Sequence, residues 1–160
     1  MENTRFLECL DSDYRRIRGV VPGCLSARVP TCPDWDVADL VRHVGAVYLH
    51  KVECMRAGGP LETRWPPAGL DDEEPVALLD RAYSALATEF IARDPADLGG
   101  GFYDPDPTVG FWIRRMAQES VIHRIDAELA AGAEVASPLR IAGNAEALIE
   151  FRQCLVEGTQ

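Results

Sequence analysis

Trp112-Ile-Arg-Arg-Met-Ala-Gln-Glu119-Ser-Val-Ile-His123-Arg-Ile-Asp126 is the stretch on which the reading of this chain turns. With Thr108 as a cap before it and Gly132 closing it, the pattern predicts a helix over residues 109–131. Glu119 and His123 stand one helical turn apart, so both rise on one face with Cβ atoms about 5–6 Å apart. A carboxylate oxygen and an imidazole nitrogen so placed can converge on one cation at about 2.0–2.2 Å. Two ligands do not complete a site, and the chain offers only 3 histidines, His43, His50 and His123, from which to draw a third.

Working outward, helical periodicity recurs three more times. Phe6, Leu7, Leu10, Tyr14, Ile17 and Val20 predict an amphipathic helix over residues 4–18 that stops before Pro22-Gly23. Pro22, Pro30 and Pro33 keep residues 21–34 extended or turning. Asp36, with Asp39 three positions on, then forms a capping-box-like start. The second helix runs over residues 37–57 with Val37, Leu40, Val41, Val44, Val47 and Tyr48 inward, and ends at Gly58-Gly59. Carboxylates from Asp71 to Glu74 precede Pro75 and suit the positive start of a third helix over residues 74–93, with Val76, Leu79, Tyr83, Leu86 and Phe90 inward. Residues 145–156 form a last, short helical segment that docks on the bundle or mediates association. No strand pattern and no internal repeat interrupts this order, so the fold class is all-α, a helical bundle whose interior can pool ligands from distant parts of the chain.

The bulk properties narrow the function. At 160 residues the chain fits one domain, residues 1–160, long enough to bury a core without a structural metal or disulfides. A formal charge of −10 with no Lys/Arg cluster argues against nucleic acid and anionic membranes as partners. No segment approaches the roughly 20 apolar residues of a membrane span, and the stretch over residues 1–6 lacks a basic region followed by an apolar run, so export is not expected. Cys9, Cys24, Cys32, Cys54 and Cys154 are scattered and odd in number, which suits a reducing cytoplasm better than a disulfide framework or zinc knuckle.

If the second and fourth helices face each other, His43 meets Glu119 and His123, giving two imidazoles and one carboxylate with coordination positions left open. Catalytic zinc sites have that form, and nickel or iron(II) accepts the same donors. On spacing alone, a Glu and a His placed like Glu119 and His123 are more often a surface pair than ligands, and His43 alone could be a hydrogen-bonded core histidine. His50 is the alternative third ligand. Asp126 is placed to accept the other ring N–H of His123, or else to pair with Arg124. Arg114 and Arg115 are candidates for an anionic group at the bundle mouth. Arg115 and Trp112 are the candidate cofactor-binding residues, with packing the plain alternative for Trp112. No His-Glu-x-x-His, Gly-x-Gly-x-x-Gly or Gly-x-Ser-x-Gly pattern is present.

Two separated motifs carry a resemblance: Val29-Pro-Thr-Cys-Pro-Asp-Trp-Asp-Val-Ala-Asp-Leu-Val-Arg-His43, and Trp112 through Glu128. In this order they resemble the N-terminal domain of the mycothiol-dependent maleylpyruvate isomerase family, a branch of the DinB-like bundles. The resemblance implies a DinB-like four-helix bundle, to which the segment over residues 145–156 adds a short C-terminal helix. It also implies a divalent metal, zinc foremost with nickel or iron as options, held by His43, Glu119 and His123, and mycothiol as a thiol cosubstrate bound near it. The implied activity is isomerisation or S-transfer on a small electrophile: a thiolate adds to an electron-poor carbon, and reversible addition isomerises whereas a stable adduct transfers. Two-domain members carry a C-terminal domain that helps form the active site, while this chain ends at Gln160. A transferase, partnership with another subunit and a pocket kept for another reaction therefore stand beside isomerisation; a homodimer is a separate candidate assembly. A non-catalytic metal- or small-ligand-binding bundle is the rival function.

Overall fold

The computed structural model describes residues 2–100 and 106–136. Four helices dominate it: α1 (Glu2–Val20), α2 (Val37–Ala57), α3 (Pro75–Ala92) and α4 (Val109–Ala130). Short 3-10 turns occupy Val21–Gly23 and Leu70–Asp72, and two strands, β1 (Arg28–Val29) and β2 (Cys32–Asp36), lie between α1 and α2. The all-α bundle expected from periodicity is the observed fold. The short helix expected over residues 145–156 lies outside the described residues.

Local chemistry sets the helix ends. Asp36 accepts from Asp39 N at 2.9 Å and Asp39 returns a carboxylate oxygen to Asp36 N at 3.1 Å, a complete capping box. Gly58, at φ 72°, closes α2 in the left-handed region that costs a side chain strain. Glu74 caps α3 through Val76 N and Ala77 N, and Thr108 caps α4 through Phe111 N.

Packing pairs α1 with α4 and α2 with α3, and α2 also meets α4. Leu10 and Ile17 of α1, Val41, Tyr48 and Val52 of α2, Leu79 and Leu86 of α3, and Trp112, Ile113 and Met116 of α4 are all at most 2% exposed. Each large apolar side chain buried so completely stabilises the fold by about 1.5–3 kcal/mol relative to exposure. Gly45 brings α2 against α3: a Cβ there would stand 2.9 Å from Leu78 Cγ. Leu7, Tyr14, Val20, Val47 and Tyr83, expected inward, are partly buried at the edges of the core.

The connector before α2 differs from a plain extended segment. β1 and β2 pair antiparallel, Arg28 opposite Asp36 and Val29 opposite Cys32. Only Val29 of this hairpin is fully buried, so there is no apolar alternation to announce a sheet. Val37 N donates to Ala27 O at 3.0 Å and Ala38 N to Leu25 O at 2.9 Å, which fixes the hairpin to the start of α2. The consequence is positional: the hairpin lies beside the helix that carries His43.

Candidate metal centre

Helix α4 buries polar groups as well as apolar ones. Glu119, His123 and Asp126 are 3%, 5% and 6% exposed, far below what a solvated helix face would show. From α2, His43 reaches the same point with its side chain 29% exposed, so the site is buried on the α4 side and open beside His43. His43 Nε2 stands 3.4 Å from Glu119 Oε1, and His123 Nε2 stands 3.2 Å from the same oxygen. The two imidazole centroids are 5.0 Å apart with rings at 80°.

One donor atom from each of His43, Glu119 and His123 lies within 4.8 Å of the others. Ligands about 2.1 Å from a tetrahedral ion are separated by about 3.4 Å, so the spacings of both imidazoles from Glu119 Oε1 match that requirement with little movement. Nitrogen and oxygen donors of this kind suit zinc, and nickel or iron(II) as well. The donor set therefore fits a divalent cation with coordination positions left for another molecule.

The charges in the pocket are strongly coupled. Burial alone would push the Glu119 carboxyl up, but hydrogen bonds and charges from His123 and His43 outweigh it and hold the group at about 2. Burial alone would pull His123 down, but the bonds to Asp126 and Glu119 outweigh it and raise the imidazole to about 9. Without an ion, His123 is thus an imidazolium that donates Nδ1–H to Asp126 Oδ2 at 3.1 Å and Nε2–H to Glu119 Oε1 at 3.2 Å. A cation would take the place of the second of these protons.

Asp126 stands where its spacing placed it, against His123. It does not pair with Arg124, whose guanidinium lies 2.7 Å from Asp13 and 2.6 Å from Glu128. Arg16, its side chain exposed, adds a second cation 2.6 Å from Glu128, so the ion network joins α1 to α4.

His50 is not brought to the trio. Its Nδ1 accepts from Lys51 Nζ at 3.0 Å, its ring meets Trp65 at 5.2 Å between centroids, and Cys54 Sγ is 3.8 Å away. Burial, then the charge of Lys51, pulls this imidazole down to about 4. Trp112 is 1% exposed and donates its indole N–H to Gly100 O at 2.6 Å, with the Lys51 ammonium 4.4 Å from its ring centroid. Arg115 is half-buried. Burial pulls Lys51 down to about 8, Cys54 opposes this, and the charge of Arg115 adds to it, which places Arg115 near that ammonium. Arg114 lies exposed, 5.9 Å from the Phe111 ring.

Two residues at the site went unmarked in the sequence. Thr31 Oγ1 lies 2.5 Å from Asp126 Oδ1, a contact between distant parts of the chain with no local signal. Lys51 follows Val44 and Tyr48 at helical spacing on the inward stripe of α2, and that spacing was the available clue.

The family model described as the mycothiol maleylpyruvate isomerase N-terminal domain matches residues 7–128, a span that includes the hairpin and all three clustered residues. No curated protein and no solved structure matches the chain.

Proposed function

Because the chain belongs to the mycothiol maleylpyruvate isomerase N-terminal domain family, we propose that it is a cytoplasmic, divalent-metal-dependent isomerase or S-transferase that uses mycothiol on a small electrophilic substrate. The observation that carries the reading is the convergence of His43 from α2 with Glu119 and His123 from α4, donor atoms within 4.8 Å, inside the matched span. Zinc is the favoured ion, and when bound it keeps a coordinated thiol deprotonated at neutral pH, which supplies the nucleophile.

The chain's own side chains do the rest. Glu119 supplies the one anionic donor, ionised throughout the neutral range. With a divalent ion bound, the imidazoles of His43 and His123 would coordinate through ring nitrogens without adding negative charge, so the site would keep net positive charge for an incoming thiolate. Asp126 holds Nδ1 of His123, so Nε2 is the nitrogen directed at Glu119 and the pocket. The buried wall formed by α4 keeps water from one side, while the partly exposed edge of His43 leaves the approach for thiol and electrophile. Trp35, its ring 5.0 Å from that of His43, limits how far this imidazole can swing. Arg115, with Lys51 near it, is the proposed cationic side of the approach, and Trp112 acts there by shaping the wall.

Among the described residues no helix is long and apolar enough to cross a membrane. The function is tested with zinc-loaded protein and mycothiol. Thiol-dependent isomerisation of an unsaturated acid, or consumption of thiol with an electrophile, is expected, with His43→Ala abolishing it. Zinc-loaded protein whose melting temperature does not respond to mycothiol and which consumes no thiol would overturn this reading in favour of the non-catalytic binding module.

A further inference from the structure

We infer that Thr31, on the turn between β1 and β2, is a positioning residue for the metal centre: its hydroxyl locks the Asp126 carboxylate, which in turn aims His123 at Glu119 and His43. This rests on the reading of the trio as a metal site.

A carboxylate only accepts, so at 2.5 Å the Thr31 hydroxyl donates to Asp126 Oδ1. The other oxygen, Oδ2, takes Nδ1–H of His123 at 3.1 Å. One carboxylate therefore joins the hairpin to the imidazole, and it cannot rotate at one oxygen without disturbing the bond at the other. The hydrogen bond on one ring nitrogen decides which nitrogen faces a metal and in what direction. Here the chain of contacts runs from Thr31 through Asp126 and His123 to Glu119 Oε1, the oxygen that also stands 3.4 Å from His43. The same hairpin carries Trp35 against the ring of His43. A two-stranded element that contributes no ligand thus contacts one histidine directly and holds the other through Asp126. Thr31 is itself exposed, so replacing its hydroxyl by a methyl group opens no cavity in the core.

The test compares zinc affinity, by chelator competition, and zinc release into excess chelator for the full chain, Thr31→Val, Thr31→Ser, Asp126→Asn and the double variant Thr31→Val/Asp126→Asn. All are measured well below the melting temperature of each variant, where a change confined to fold stability would not register. Residues that hold a ligating histidine typically contribute 10–100-fold to affinity, and Thr31 acts one bond further out, so Thr31→Val is expected to bind about three- to tenfold more weakly and release zinc correspondingly faster. Thr31→Ser should remain within about twofold of the parent. If Thr31 acts through Asp126, Thr31→Val should cost nothing further in the Asp126→Asn background. Unchanged affinity in Thr31→Val, a serine variant as weak as the valine one, or full additivity in the double variant overturns the inference. A parent chain that takes up no zinc overturns the metal reading and this inference together, whereas zinc uptake by the parent with Thr31→Val unchanged overturns the role of Thr31 alone.

Discussion

Occupation of the trio by a cation must expel a proton, and the structure sets where on the pH scale this competition falls. Although burial disfavours its charge, His123 is held as an imidazolium up to about pH 9 by Asp126 and Glu119. Glu119, held at about 2, has no proton to lose. Coordination needs the Nε2 lone pair, so the ion competes with the proton on that nitrogen. At about pH 7, roughly two units below the His123 value, the competition weakens apparent binding about 100-fold, or about 2.7 kcal/mol, relative to pH above 9. The sign follows directly: the lower the pH, the more firmly the proton holds, so log affinity rises by about one per pH unit between about pH 7 and 8.5 and levels off above about 9. Competition against a chromophoric zinc chelator across that range measures the slope. Calorimetry at one pH in buffers of different ionisation enthalpy counts the proton released from His123. A flat affinity profile with no proton release would refute the assignment of His123 as the displaced imidazolium.

Further outcomes follow from the same contacts. The raised pKa of His123 stabilises the ion-free fold fully below its unfolded value of 6.5, and that contribution is lost as pH rises toward about 9. Melting of the ion-free protein should therefore fall from about pH 6.5 to 8 while the zinc-loaded form resists the change; equal pH responses of the two forms would exclude it. Arg124 is 2% exposed between Asp13 and Glu128, so Arg124→Met should lower urea stability by about 3–5 kcal/mol, and a loss below about 1 kcal/mol would show that the network is dispensable. At Gly100, φ is 61° and a Cβ would collide with the Cys54 carbonyl oxygen and stand 2.8 Å from Gly59 N; Gly100→Ala should cost about 2–5 kcal/mol in the same assay, against no loss if the segment yields freely.

Much of the fold was legible because its ends are marked by side-chain chemistry. Asp36 and Asp39 placed the start of α2, Gly58 its end, and Thr108 the start of α4, each where the backbone has it. Helix α1 runs two residues beyond its expected span at either end, because no cap residue marks its limits more sharply than the apolar spacing does. The hairpin escaped notice because Pro30, Pro33 and a single buried residue, Val29, leave no alternating pattern to read. The pairing of Glu119 with His123 was local and readable from helical spacing. Bringing His43 to them required the packing of α2 on α4, which spacing could only suggest and the two-motif resemblance made specific. His50 shows the limit: its position along α2 left it a candidate, and only the contacts with Lys51 and Trp65 reveal that its ring turns elsewhere. The buried ion network of Asp13, Arg124 and Glu128, which the exposed Arg16 joins, was equally hidden, since charged residues on a helix are ordinarily solvated and nothing local marks those that are buried.

The proposed activity requires His43, Glu119 and His123 to hold one cation jointly. Anomalous diffraction at the zinc edge from crystals of zinc-loaded protein tests it most directly. One strong peak is expected about 2.0–2.2 Å from Nε2 of His43, Nε2 of His123 and a Glu119 carboxylate oxygen, absent from crystals of His43→Ala. Full-chain crystals with no peak at that point, or with one held by other residues and unaffected by His43→Ala, would contradict it.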